Sequence, residues 1–173
     1  MTAIARAEQT GYDFADLVRQ NQSMVFSLAY HFLHDRGLAE EIAQEVFLSL
    51  HRNLHAIESV SHAAHWLRKV TVQRAIDEAR KRQRRPQVAL ELVAEPAART
   101  AARDPMLSQV LRRLIATLAE APRMVMILRY QEDLDPSEIA ELLDMPIGTV
   151  KSHLQRSLAL LREKLERRGV GEP

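Results

Sequence analysis

The sequence has no cysteine, only five glycines and a single tryptophan among its 173 residues. Because cysteine is missing, disulfide bonds and thiolate metal sites are excluded. Glycine is scarce and alternating runs of β-branched residues are missing, so no segment has the pattern of a strand. We therefore predict an all-α fold.

Long apolar runs are also missing from the sequence. No segment approaches the ~18 consecutive apolar residues that a membrane-spanning helix needs, so we expect no membrane insertion. The opening segment, MTAIARAEQT, lacks the apolar core of a secretory signal. These two absences favour a cytoplasmic protein.

Residues for metal binding or catalysis are not grouped in the sequence. Histidines three or four residues apart occur, for example His31 with His34 and His51 with His55, but no glutamate-bearing zinc motif accompanies them. No nucleophile is paired with a general acid and base. We expect neither an enzyme nor a metal or other cofactor.

The clearest pattern lies in residues 135–165, DPSEIAELLDMPIGTVKSHLQRSLALLREKL. Asp135 and Glu138 can form a capping box around Pro136, which suits the first position of a helix. Asp144 tolerates the left-handed conformation of a tight turn, and a second helix can begin at or just after Pro146. The segment therefore predicts a helix-turn-helix.

The second helix of this motif combines an apolar stripe with a polar face. The stripe has residues three or four apart: Val150, Leu154, Leu158, Leu161 and Leu165. Six polar residues lie off the stripe or at its edge: Thr149, Lys151, Ser152, His153, Gln155 and Arg156. Residues 151–168 have a net charge of +4, and a helix of this diameter fits the major groove. A merely solvated face would favour Glu and Lys pairs, so we expect these six residues to contact double-stranded DNA.

Two helices with apolar inner faces are predicted earlier in the chain, at residues 14–33 and about 38–54. The second has an acidic outer face with Glu41, Gln44 and Glu45. Acidic residues in a first turn complement the helix dipole, and this effect alone could explain Glu41. Gln44 and Glu45 instead indicate a surface presented to a partner.

A long basic helix is predicted over residues 63–85. From Trp66 to Arg85 its net charge is +6, which predicts contact with nucleic-acid phosphates. Trp66 has two interpretations. It could stack on an unpaired base, or it could pack in the core, which is commoner for a lone tryptophan on an amphipathic helix and which we favour.

Residues 86–104 contain two prolines and break the helical periodicity. We therefore predict a flexible linker here, between small domains at residues 1–85 and 105–173. Further helices at residues 107–118 and 122–130 should precede the helix-turn-helix. Segment 132–144 holds six acidic residues and no basic one, so its surface should not face DNA.

Three sets of motifs occur in the order found in one bacterial family. They are AEEIAQEVF at residues 39–47, WL followed by AIDEARKRQRR within 66–85, and RMVMILRY followed by SEIAELLDMPIGTVKSHLQRSL. They resemble region 2.2, regions 2.3 and 2.4, and regions 4.1 and 4.2 of the extracytoplasmic-function sigma factors of RNA polymerase. The resemblance covers about 14–85 and 106–165, and it implies a transcription initiation factor.

The resemblance also assigns a partner to each surface. It implies that four residues of the acidic helix dock on the clamp helices of the polymerase core: Glu41, Gln44, Glu45 and Leu48. It implies that the basic helix binds the melted −10 element of the promoter through seven residues: Trp66, Gln73, Arg74, Arg80, Lys81, Arg84 and Arg85. The helix-turn-helix would read the double-stranded −35 element. An anti-sigma factor as inhibitor, and a chain that is monomeric when free of partners, are further implications.

Three residues depart from the family pattern. Gln73 stands where the family has an asparagine that helps to capture an unpaired −10 base, and the longer side chain predicts an altered pocket. Leu38 and His153 stand where an aspartate and an arginine are usual. Each of these two changes weakens one contact that the resemblance implies.

The alternative function is a stand-alone helix-turn-helix repressor. Such a protein needs a dimer interface that places two recognition helices about one DNA turn apart. The sequence offers no surplus apolar face for this purpose. Repression also leaves the acidic and basic helices without a role, so we favour the initiation factor.

Overall fold

The computed structural model of the protein describes residues 13–84 and 105–167. Regular structure in these two ranges is helical throughout, which confirms the predicted all-α class. The chain divides into two compact units, Met1–Glu78 and Ala79–Pro173. The predicted linker at residues 86–104 lies outside the described residues.

The first unit contains helices α1 (Phe14–Leu33) and α2 (Arg36–Asn53) and most of α3 (Val60–Arg84). A short 3-10 turn at Leu54–Ala56 follows α2. The three helices follow one another along the chain as the apolar periodicity predicts. The first unit is therefore a small helical domain.

Both α2 and α3 begin slightly earlier than their apolar patterns predict. Asp35 precedes α2 and accepts a hydrogen bond from the N–H of Leu38 at 3.0 Å. Ser59 precedes α3, and its hydroxyl accepts a hydrogen bond from the N–H of His62 at 3.0 Å. Short polar side chains of this kind satisfy the unpaired N–H groups of a first turn, so they set where a helix starts.

The core of the first unit consists of apolar side chains from all three helices. The fully buried ones include Leu17, Val25, Leu28, Phe32, Val46, Leu50, Leu67 and Val72. Thr71 is also buried, and its hydroxyl donates a hydrogen bond to the carbonyl of Leu67 at 2.7 Å. Each buried apolar side chain of this size stabilises the fold by about 1.5–3 kcal/mol.

Four helices form the described part of the second unit after residue 104: α4 (Pro105–Ala116), α5 (Glu120–Tyr130), α6 (Pro136–Leu143) and α7 (Ile147–Glu166). α5 is buried along five consecutive residues, Met124–Leu128. A helix that is buried on all sides belongs in the centre of a core. A cluster that includes Leu114, Leu118, Met126 and Leu161 joins α5 to α4 and α7.

Helices α6 and α7 form the predicted helix-turn-helix. Asp135 accepts hydrogen bonds from the N–H groups of Ser137 and Glu138 at 2.7 and 2.9 Å, and the Glu138 carboxylate accepts one from the N–H of Asp135 at 2.8 Å. Asp144 adopts the left-handed conformation with φ 50° at the turn. α7 then starts directly after Pro146. Capping box, turn and second helix are all where the sequence predicts them.

Replacing Asp135 by alanine should destabilise α6 by about 1 kcal/mol, because the N–H groups of its first turn lose their acceptor. Hydrogen exchange of the amides of residues 137–143 measures this loss. Glu141→Ala is the matched control, since Glu141 is an exposed acid on the same helix outside the capping box. Equal loss of protection in both variants would contradict the importance of the cap.

Candidate functional site

The first half of α7 presents the polar face predicted for DNA contact. Lys151, Gln155 and Arg156 are exposed, whereas three other predicted residues are half-buried: Thr149, Ser152 and His153. The opposite side of the helix is fixed in the core by Val150, which is fully buried. The structure therefore brings the six residues onto one helix and leaves the longest donors most accessible.

The surface of α6 has the opposite charge. Four exposed acids lie on it or at its ends: Asp135, Glu138, Glu141 and Asp144. Like charges repel, so this side of the helix-turn-helix disfavours phosphates. Of the two helices of the motif, α7 is therefore the one whose surface suits a phosphate-bearing partner.

Some basic side chains of the second unit contact other residues of the protein and do not belong to the polar face of α7. The Arg123 guanidinium donates hydrogen bonds to the carbonyl of Leu118 through Nε at 3.3 Å and Nη2 at 2.9 Å. Its burial lowers the pKa of Arg123, and the nearby carboxylate of Glu120 partly offsets this effect. Lys164 donates a hydrogen bond to Thr117 Oγ1 at 2.6 Å. Arg123 thus fastens the start of α5 to the turn before it, and Lys164 fastens the end of α7 to the residue that follows α4.

A second basic surface lies on α3. Trp66, Gln73, Arg80 and Arg84 follow one another at steps of seven, seven and four residues, which places them on the same side of the helix. Gln73, Arg80, Lys81 and Arg84 are exposed, and Trp66 is half-buried. The indole thus packs against the unit with part of its surface and remains partly accessible. Arg85 lies outside the described residues.

The outer face of α2 is the third candidate surface. All four residues predicted to dock on polymerase are exposed: Glu41, Gln44, Glu45 and Leu48. Leu48 has 57% of its surface exposed, although its neighbours Val46 and Leu50 are fully buried. A single exposed leucine is ordinary, but here it lies within a polar, acidic face that offers both apolar and charged contacts.

Two residues predicted for different partners contact each other. Arg74 on α3 forms an ion pair with Glu45 on α2 through Nη1, and its Nη2 donates a hydrogen bond to Ser49 Oγ at 3.2 Å. Sequence reasoning missed Ser49. The feature of the sequence that could have identified Ser49 is its position one turn after Glu45 on the same helix face.

Neither a metal site nor a membrane span is present in the part of the chain that the structure describes. Within residues 13–84 and 105–167, no three His, Asp or Glu side chains converge as metal ligands. His62 Nδ1 instead accepts a hydrogen bond from the N–H of Glu58 at 3.2 Å, and the ring of His51 meets Phe14 edge-on at 5.2 Å between centroids. The helices in those ranges are too short or too polar to cross a bilayer.

Two family models match the chain. Sigma-70 region 2 matches residues 17–85, and sigma-70 region 4 matches residues 108–161. The first range contains the acidic face of α2 and the basic face of α3. The second range contains α6 and most of α7, the two helices of the helix-turn-helix.

Characterised relatives match over nearly the whole chain. The RNA polymerase sigma-E factor of Streptomyces coelicolor is 30% identical over 158 residues, which cover 91% of this chain and 89% of that protein. The extracytoplasmic-function sigma factor SigW of Bacillus subtilis is 29% identical over 167 residues, or 88% of each chain. The sigma factor RpoE from Bartonella quintana, solved in complex with the anti-sigma factor NepR, shares the fold at 22% identity with a TM-score of 0.73, covering 89% of this chain and 97% of that chain.

A two-unit helical protein with a helix-turn-helix and these matches is a promoter-recognition factor. The chain belongs to the sigma-70 family of RNA polymerase sigma factors, in its extracytoplasmic-function group. It is therefore a transcription initiation factor that binds RNA polymerase core and directs it to promoters, as the motifs predict. The alternative of a stand-alone repressor finds no support.

Proposed function

We propose that three helix faces divide the work of initiation: α2 docks on the polymerase core, α3 holds the melted −10 strand, and α7 reads the −35 duplex. One observation supports this division above the others. The exposed donors Lys151, Gln155 and Arg156 project from α7 while Val150, on the same helix, is fully buried. A capped helix-turn-helix with such a face is suited to the major groove.

Reading of the −35 element would combine two kinds of contact. Arginine and glutamine can bond base edges in the major groove, where each base pair has its own pattern of donors and acceptors. Lysine would contact phosphates and fix the register of the helix on the duplex. Lys151, Gln155 and Arg156 thus supply both affinity and sequence preference.

Melting of the −10 element would rely on the exposed face of α3. Lys81 and Arg84 attract the phosphates of the strand, and this attraction falls as salt rises. Arg80 is exposed as well, but its guanidinium forms an ion pair with the Glu120 carboxylate at 3.3 Å. Trp66 offers a partly open aromatic ring for stacking, and Gln73 offers an amide that donates and accepts hydrogen bonds. Holding bases in the unpaired state lowers the free energy of the open complex relative to the closed one.

Core docking would use the exposed face of α2. Leu48 would form its apolar centre and Glu41 and Gln44 its polar rim, because protein interfaces commonly have an apolar core surrounded by polar residues. The acids would pair with basic groups on the clamp helices of the polymerase. Charges at such a rim mainly speed association and select the partner.

Other properties follow from the same assignment. An anti-sigma factor is a proposed inhibitor, supported by the structure in which the similar fold of RpoE is bound to the anti-sigma factor NepR. We place the protein in the cytoplasm, as a monomer when free of partners and without catalysis of its own. Its effect is to determine which promoters the bound polymerase uses.

Reconstitution tests this function. The full chain, added to purified polymerase core, should co-purify with it and should create specific transcription start sites on genomic DNA templates. Core alone is the control. Start sites that do not depend on the added protein, or a protein that does not bind core, would contradict the proposal.

Leu48→Asp should weaken binding to the polymerase core by roughly tenfold or more, since an apolar contact at the interface centre is replaced by a charge. Fluorescence anisotropy of the labelled protein titrated with core measures this change. Leu160→Asp is the matched control, because Leu160 is an exposed leucine on α7 with 38% of its surface accessible. Equal weakening by both substitutions would place the docking centre elsewhere.

Arg156→Ala should cost about 1–3 kcal/mol of promoter binding by the holoenzyme, because a bidentate donor to a base edge is lost. Gel-shift titration on a duplex with the −35 element measures this loss. Arg162→Ala, a change at an exposed arginine farther along α7, should have little effect. An unchanged affinity for Arg156→Ala would exclude Arg156 from the base contacts.

Gln73→Ala should reduce open-complex formation more than closed-complex binding, and Gln73→Asn should change the preferred −10 base. The amide of asparagine lies one methylene closer to the backbone, about 1.5 Å, and an unpaired polar group in the pocket is costly. Permanganate footprinting on promoters varied at each −10 position would show both effects. Gln83→Ala is an exposed control on the same helix. Unchanged melting and unchanged preference would make Gln73 a merely structural residue.

A further inference from the structure

Arg74 joins the two helices that are proposed to bind different partners. From α3, its Nη1 forms an ion pair with the Glu45 carboxylate, and its Nη2 donates a hydrogen bond to Ser49 Oγ at 3.2 Å. Glu45 and Ser49 lie one turn apart on α2. The guanidinium therefore spans two successive turns of the docking helix.

These contacts make Arg74 poorly suited to bind a phosphate. The Glu45 carboxylate neutralises the guanidinium locally, and a phosphate that approached Arg74 would approach that carboxylate as well. The Nε atom of Arg74 is buried and has no hydrogen-bond acceptor among the described residues. The side chain is thus directed at α2, in contrast to the exposed side chain of Arg84.

Buried residues of α3, among them Leu67, Val72 and Ala75, set its rotation about its own axis, and the Arg74 contacts hold the neighbouring part of the helix against α2 in that rotation. Successive residues of a helix point about 100° apart. With Arg74 held against α2, the preceding Gln73 faces solvent, and Trp66 lies two turns away on the same side as Gln73. A rotation of α3 would carry both side chains away from a captured base, whose recognition depends on fixed geometry.

We propose that Arg74 is a positioning residue for promoter melting: by binding Glu45 and Ser49 it restrains the core-packed α3 in the orientation that offers Gln73 and Trp66 to an unpaired −10 base. The inference rests on the proposed function of α3. It removes Arg74 from the DNA contacts that the basic run predicts, and it gives Ser49 a role as the second anchor. Core docking on α2 and base capture on α3 are then connected through one side chain.

The test uses the full chain assembled with a saturating amount of polymerase core, on a promoter that the wild-type holoenzyme opens. Arg74→Ala should lower the fraction of open complex roughly three- to tenfold, which lies within the range of couplings between contacting residues. Closed-complex binding and the slope of log K against log salt should stay unchanged. Half-exposed ion pairs add little to folding, so helix content should be kept.

Two further variants separate positioning from phosphate binding. Arg84→Ala removes an exposed arginine of the same helix and should lower the salt slope by about one, as a lost phosphate contact does. The exchange variant, Glu45→Arg combined with Arg74→Glu, rebuilds the ion pair with reversed charges, and the Ser49 hydroxyl can donate to the new carboxylate. Promoter opening should recover in the exchange variant, because saturating core compensates for any weaker docking at position 45.

Several results would overturn the inference. They are a salt slope that falls in Arg74→Ala as it does in Arg84→Ala, full promoter opening in Arg74→Ala, and an exchange variant that does not recover opening. If Arg74→Ala loses helix content, the exchange variant still tests the inference. Recovery of promoter opening in that variant supports positioning by the ion pair, and failure to recover contradicts it. A wild-type holoenzyme that opens no promoter would count against the proposed function instead, so the two failures are distinguishable.

Discussion

Burial of one side of α2, α3 and α7 is the constraint on which the binding surfaces depend. In α7, Val150 and Leu161 are buried, and this fixes the rotation that exposes Arg156. In α2, Val46 and Leu50 are buried, so Leu48 between them must face outward. Each buried side chain is worth about 1.5–3 kcal/mol, and a rotated helix would lose several at once. The cores thus position the functional residues without contacting any partner.

The separation of acidic from basic residues determines which partners each surface attracts. The net charge of the chain is only +1, yet acids gather on α2 and α6 whereas bases gather on α3 and the exposed face of α7. Phosphates are attracted to one pair of helices and repelled by the other. A nearly neutral protein can therefore hold DNA and a second macromolecule on different faces.

Features that depend on neighbours in the sequence could be predicted, and contacts between distant residues could not. The capping box of Asp135 and Glu138 follows from residue types three positions apart, and the fold class follows from helical periodicity. The pairing of Arg74 with Glu45 could not be predicted from neighbouring residues, because a run of basic residues does not indicate which of them turns inward. The starts of α2 and α3 were missed for a smaller reason, since their capping residues precede the apolar pattern.

Both proposed DNA-binding surfaces of this sigma factor, on α3 and α7, should act only when polymerase core is bound. Footprints of one promoter, with the protein alone, core alone and both together, measure this dependence on core. We expect protection of the −35 element and permanganate-reactive thymines in the −10 element only when both are present. Protection of the −35 element by the protein alone at physiological salt, to the same extent as with core, would contradict it.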